Sequence, residues 1–180
     1  MKIQIGIMGS AGGNLAQDTM DKVYKLGQEI ARHDCALVTG GCPGLPYEAT
    51  RGAKHAGGTT VGISPGLNLN EHVHKYNSPT EDIDVLIYTG IGLMGREAVA
   101  IHSCDIVIIV GGRSGTLGEF SIAYDEGKLI GILEGTGGIT EIIPHIMNNI
   151  QKPTGCQIIY SPDPRELLEK LLEIYYQKYY

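Results

Sequence analysis

Ile106-Val107-Ile108-Ile109-Val110-Gly111-Gly112-Arg113-Ser114-Gly115-Thr116-Leu117-Gly118-Glu119 joins the strongest strand signal in the chain to the start of a helix. Five consecutive β-branched residues, apolar on both faces, suit a central parallel strand covered by helices on each side. The glycines that follow let the backbone turn sharply and approach a ligand closely. The helix beyond them turns its unpaired N–H groups and positive dipole end toward any anion in the loop. Ser114 or Thr116 is expected to cap that helix. The loop has neither the Gly-Lys-Ser/Thr of a Walker A motif nor the spacing of Gly-x-Gly-x-x-Gly, which argues against an NTPase loop and a dinucleotide fingerprint.

Strands and helices alternate outward from this point. Residues 3–8, Ala36–Thr39, 60–63, Val85–Tyr88, Leu129–Leu133 and 157–160 read as further strands. Helical spacing covers 17–33, 47–56, 93–103, 116–126, about 140–149 and Pro164–Tyr179. The polar, irregular stretch 67–81 is expected to be a loop able to cover a site. Such alternation implies parallel strands with right-handed crossovers. The expected fold is therefore α/β, a Rossmann-like three-layer αβα sandwich with a mostly parallel sheet. One nucleotide-binding domain over residues 1–180 is expected, without repeats or linkers.

Composition fits this class. Of 180 residues, 42% are hydrophobic and 19% charged, the range of an ordinary globular chain. The net charge of −6 and the lack of any Lys/Arg cluster argue against a nucleic-acid groove. Anion binding then falls to backbone N–H groups. The 26 glycines are the departure from the norm, and many cluster at strand ends after Met8, Thr39 and Val110. Three clusters on the carboxyl edge of one parallel sheet point to a ligand site there. No Cys-x-x-Cys pair occurs among Cys35, Cys42, Cys104 and Cys156, so no zinc site is expected. Cys35 and Cys104 read as buried apolar groups. The absence of a signal peptide or membrane-length apolar run gives the expectation of a cytoplasmic protein away from membranes.

Individual polar residues carry the chemistry. Arg96 stands at the head of a helix, where a cation opposes the dipole, so local stability does not account for it. Either it reaches solvent or it meets an anion: Glu97, Glu119 or a substrate phosphate. Glu119, placed in the first helical turn, is favoured there by the dipole and also sits beside the expected phosphate cradle. Glu71-His72-Val73-His74 resembles a metal motif, but alternating histidines in a polar loop are expected to face solvent, and no metal is assigned. His102 is expected to be packed. The terminal tyrosines 175, 176, 179 and 180 are expected to pack their helix against the sheet or a partner.

Gly-Thr-x-x-Glu at Gly115–Glu119, preceded by Arg96, resembles the LOG family of nucleoside 5′-monophosphate phosphoribohydrolases. The resemblance runs through Gly9-Ser10, Val38-Thr39-Gly40-Gly41, Gly57-Gly58-Thr59-Thr60-Val61-Gly62-Ile63, and Arg96 through Glu119. It implies hydrolysis of the N-glycosidic bond of AMP or a cytokinin-type nucleotide, giving free base and ribose 5-phosphate. Arg96 and Glu119 would be the catalytic pair, with Glu119 stabilising the positive charge on the sugar and orienting or deprotonating the attacking water. Gly9, Ser10, Gly40, Gly41, Gly111, Gly112, Ser114, Gly115 and Thr116 would hold the nucleotide and its phosphate, and Met94 with its apolar neighbours would floor the base pocket. The resemblance further implies a homodimer through helices 93–103 and 116–126, and no cofactor. A lysine decarboxylase reading fails because no lysine lies in a glycine loop.

The match has departures. Gly111 stands where the family has Pro, Arg113 where it has Gly, Met94 where it has His and Glu97 where it has Lys. The sequence thus looks like a divergent branch, related to molybdenum-cofactor carrier and DNA-processing proteins. A non-catalytic carrier of a nucleotide-like cofactor is the second function that follows.

Overall fold

The computed structural model describes residues 1–150 and 152–179; Gln151 and Tyr180, the last of the terminal tyrosines, lie outside the described residues. Seven strands form one sheet: β1 (Gln4–Gly9), β2 (Ala36–Thr39), β3 (Thr59–Ser64), β4 (Val85–Tyr88), β5 (Ile106–Val110), β6 (Leu129–Leu133) and β7 (Gln157–Ser161). Their order is β4-β3-β2-β1-β5-β6-β7, and every pairing is parallel. The helices are α1 (Gln17–Arg32), α2 (Leu45–His55), α3 (Gly92–His102), α4 (Ser114–Asp125), α5 (Ile143–Asn149) and α6 (Pro164–Tyr179). The architecture is Rossmann-like α/β.

Two cores sandwich the sheet because side chains alternate along each strand. Ile106, Ile108 and Val110 face one core with Ile5, Ile7 and Leu37, beneath α1, α2 and α6. Val107 and Ile109 face the other with Met8, Ile101 and Phe120, beneath α3, α4 and α5. All five residues of β5 are fully buried, which is why its sequence carries no polar alternation. Cys35 and Cys104 are buried, as read.

Helices α1 and α2 approach closely through two glycines. A methyl group on Gly27 would run into the backbone carbonyl of Ala49, and one on Gly52 into that of Tyr24. Their hydrogens are what allow the two backbones to meet.

The expected loop at 67–81 is more ordered than its polarity suggested. It contains a five-residue π-helix, Glu71–Lys75. His72 within it is fully buried, contrary to the expected solvent exposure. Its Nε2 lies 2.9 Å from the Pro79 carbonyl and its Nδ1 2.8 Å from Ser64 Oγ. A carbonyl can only accept, so Nε2 carries the proton and the Ser64 hydroxyl donates to Nδ1. The segment is thereby fastened to the end of β3. The expected helix at 140–149 is also split, into a 3-10 turn (Gly138–Glu141) and α5.

Strand β4 closes one edge with little cover. Val85, Ile87 and Tyr88 are exposed, as are Ile91, Leu93 and Met94 just beyond. Among the described residues no helix is long and apolar enough to cross a membrane.

Gly27→Ala tests the helix contact. Overpacking costs about 1–3 kcal/mol. In a chain of this size each kcal/mol lowers Tm by roughly 2–4 °C. Thermal denaturation followed by circular dichroism should show a drop of at least about 2 °C.

Candidate functional site

The strand order reverses between β1 and β5, which lie side by side with Gly9 opposite Val110. Open α/β sheets bind ligands at the carboxyl ends of strands flanking such a reversal. A side chain on Gly9 would strike the Val110 carbonyl, so only glycine lets the two strand ends close up. Beyond them the loops are tied together. The Gly112 N–H donates to Ser10 Oγ at 2.8 Å, and the Leu45 N–H donates to the Ser10 carbonyl at 2.9 Å. The Gly111 N–H donates to Thr136 Oγ1 at 2.8 Å, whose hydroxyl donates to the Leu133 carbonyl at 2.6 Å. Gly111 and Gly112 have φ of +58° and +108°, conformations that favour glycine.

These bonds correct one expectation. The N–H groups of Gly111 and Gly112 are engaged inside the fold and do not point at a ligand. The groups left to face one are those of Ser114, Gly115 and Thr116, which precede the first helical bond, Leu117 N–H to the Arg113 carbonyl at 2.9 Å. The helix cap is Arg113 in extended backbone, without a side-chain capping bond, so neither Ser114 nor Thr116 fills that role. Glu119 is the sixth residue of α4 (Ser114–Asp125) and lies beyond its first turn, too deep for the dipole to explain it.

A cleft of about 350 Å³ opens here. Six of the expected residues line it: Gly9, Arg96, Ser114, Gly115, Thr116 and Glu119. Ser10, Gly111 and Gly112 form the bonded wall behind it. Gly40 serves at one remove, since any side chain there would displace the Arg96 guanidinium. Gly41 turns away toward His72 and Leu86. Met94 is 75% exposed and outside the lining, so it does not floor a base pocket; Leu93 lines the cleft instead. Cys42, Glu97, Arg113 and Ala11 also line it. Arg113 was visible in the sequence only as a departure from a motif, and Glu97 as a departure and as a possible partner of Arg96. Cys42 carried no signal beyond its position after Gly40-Gly41.

The cleft holds three buried charged residues, Arg96, Glu97 and Glu119. Arg96 is 5% exposed and its Nη1 lies 3.5 Å from Glu119 Oε1. Its buried Nε has no hydrogen-bond partner among the described residues. Burial raises the Glu119 carboxyl to about 7, against the opposing pull of Arg96 and with a smaller push from Glu97. Burial also pushes the Glu97 carboxyl above its ordinary value, with Arg96 opposing. The Cys42 thiol is pushed up to about 11 by burial, so it stays protonated at neutral pH. The set can therefore offer guanidinium and N–H donors to an anion, and a carboxyl that exchanges a proton near neutrality.

Other candidates lie elsewhere. A second cavity, of about 320 Å³, sits at the opposite sheet edge near His102, Glu126 and Lys128, away from the glycine loops. His102 is half exposed and 3.3 Å from Glu126, so it is not packed as expected. Among the described residues no group of three or more His, Cys, Asp or Glu is placed to hold a metal.

Comparison with known proteins places this geometry. The model of the SLOG cluster4 family matches residues 2–168. An uncharacterised protein of Archaeoglobus fulgidus is 33% identical over 132 residues, 73% of this chain and 80% of that one. Among solved structures, the molybdenum cofactor binding protein of Rippkaea orientalis is 30% identical over 97% of this chain and 98% of its own, with a TM-score of 0.77. The molybdenum cofactor carrier protein of Chlamydomonas reinhardtii is 28% identical over 96% and 99%, also with a TM-score of 0.77. DNA processing protein A of Helicobacter pylori, which has a single-stranded DNA binding mode, shares the fold at 19% identity over 96% and 81%, TM-score 0.64. That likeness corrects the expected partners. A fold that serves single-stranded DNA binding elsewhere does not let a low Lys/Arg content exclude nucleic acid, and a nucleoside monophosphate no longer follows as the partner.

The Glu119 shift has a consequence for stability. Its carboxyl protonates near 7 when folded and near 4.5 when unfolded, so the folded chain holds an extra proton between those values. Stability is then full below about 4.5 and is lost as pH rises toward 7, by about 3 kcal/mol. Glu119→Gln removes this dependence. Chemical denaturation from pH 4.5 to 8 should show the variant gaining on the wild type by about that amount; a constant difference between them would contradict the shift.

Proposed function

This chain belongs to the SLOG cluster4 family, and on that premise we propose that its cleft binds and carries a phosphorylated, nucleotide-like small molecule of the molybdenum-cofactor kind. The buried Arg96 guanidinium carries the proposal. A buried donor without an acceptor costs roughly 1–3 kcal/mol, more when charged, and an incoming anion or carbonyl relieves that cost. The N–H groups of Ser114, Gly115 and Thr116 at the head of α4 add a second attraction for negative charge. The Arg113 side chain, whose Nη2 lies near Gly12 at the mouth of the cleft, adds a third. Similarity to two molybdenum-cofactor proteins along nearly the whole chain supports the choice of cargo.

Glu119 favours one further reading, N-glycosidic hydrolysis of a nucleoside 5′-monophosphate to base and ribose 5-phosphate. A carboxyl that titrates near 7 suits proton transfer at neutral pH. Arg96 would then fix the phosphate or hold Glu119 ionised. Against it stands Glu97, which places a second carboxylate where the LOG family has a lysine.

The two readings separate in one experiment. The protein is mixed anaerobically with molybdenum cofactor, with AMP, or with a single-stranded oligonucleotide, and Tm and free base are measured. Carriage predicts stabilisation by the cofactor of about 2.7 kcal/mol at a hundredfold excess over Kd, with no adenine released from AMP. Adenine release that falls ~10²–10⁴-fold in Glu119→Gln would replace carriage with hydrolysis. A Tm shift with the oligonucleotide alone would overturn both.

A further inference from the structure

Glu97 is the charged residue of the cleft to which neither reading gives a role. It is 7% exposed, lines the cleft, and makes no hydrogen bond or ion pair with any described residue. Its carboxylate lies against α4, where the missing side chains of two glycines make room for it. A methyl group on Gly115 would sit 3.5 Å from Oε1, and one on Gly118 3.2 Å from Oε2. Its oxygens are not among the buried atoms closed off from the cleft, so they stand as acceptors that a ligand in the cleft can reach.

Charge gives the cleft a direction. Glu97 repels a phosphate from its own side of the α4 N-terminus, so a phosphate settles toward Arg113 and Gly12. Glu97 and Arg96 both line the cleft, so both are within reach of the other end of the ligand. A carboxylate accepts two hydrogen bonds and a guanidinium donates them. The complementary edge has two adjacent N–H donors and a neighbouring carbonyl. That is the amino-oxo pyrimidine edge shared by guanine and pterins. Adenine reverses it, presenting an amino group and a bare ring nitrogen.

We infer that Glu97 and Arg96 read the amino-oxo edge of the ligand's ring, so that the cleft selects phosphorylated guanine or pterin compounds over adenine ones. The inference rests on the reading of the cleft as a site for a phosphorylated ligand. Hydrogen bonds to a charged acceptor are stronger than those between neutral groups. The expected preference is about ten- to a hundredfold in Kd.

Calorimetry with ribose 5-phosphate, AMP, IMP, GMP and 6-hydroxymethylpterin phosphate tests it. IMP keeps the ring N–H and carbonyl but lacks the amino group. At least one of GMP and the pterin phosphate should bind about tenfold or more tighter than AMP, and IMP should fall below GMP if guanine is the ring read. The tighter of the two names the ring system. In Glu97→Gln, with Tm recorded to verify folding, the preference should shrink or invert, because an amide can both donate to and accept from adenine. A merely structural Glu97 would lower all affinities together. Equal binding of AMP, GMP and the pterin phosphate by the wild type would overturn the inference while leaving phosphate binding intact. Failure of every probe, ribose 5-phosphate included, would remove the underlying reading instead.

Discussion

The side-by-side pairing of β1 and β5 is the constraint on which the rest depends. Strands consecutive in the sheet but far apart in the chain are brought together by five paired positions, from Ile5 with Ile106 to Gly9 with Val110. Their fit requires a residue without a side chain at position 9. The hydrogen bond from Gly112 to Ser10 then fixes the two following loops to each other. That bond sets where α4 begins, and so where Glu119 and the exposed N–H groups of its first turn come to lie. The Ser10 carbonyl also receives the Leu45 N–H, so the start of α2 is positioned from the same point. A single serine therefore coordinates three loops.

The cleft built on this frame does not minimise energy for its own sake. Burying one guanidinium beside a carboxylate gains less than well-packed apolar side chains would, because desolvation offsets most of the attraction. The arrangement is also incomplete, with Arg96 3.5 Å from Glu119 and without a hydrogen bond. Stability is lost locally and a preorganised set of donors and acceptors is gained. Sites that hold ligands commonly have that character.

The fold was legible in the sequence because burial leaves a periodic mark. The five β-branched residues of β5 and the alternation of helix and strand patterns predict an open parallel sheet, and the element ends differ from the structure by a few residues. Arg96 and Glu119 were legible through motif spacing. Other parts of the site left no periodic mark. Gly111 and Gly112 signal a tight turn, but sequence does not say whether their N–H groups face a ligand or, as here, Thr136 and Ser10. Met94 and Leu93 are neighbours of similar polarity, and only the helix rotation decides which one enters the cleft. His72 sits in a polar segment, and its burial comes from tertiary bonds to Ser64 and Pro79 that no local pattern encodes.

The uncovered β4 edge has a consequence for handling the protein in solution. An edge strand with apolar side chains and free backbone groups is a template for adhesion between molecules. The net charge of −6 keeps the molecules apart at neutral pH. That protection disappears near the isoelectric point of about 5.5. Mildly acidic buffer at low ionic strength is therefore where association through this edge meets the least electrostatic opposition.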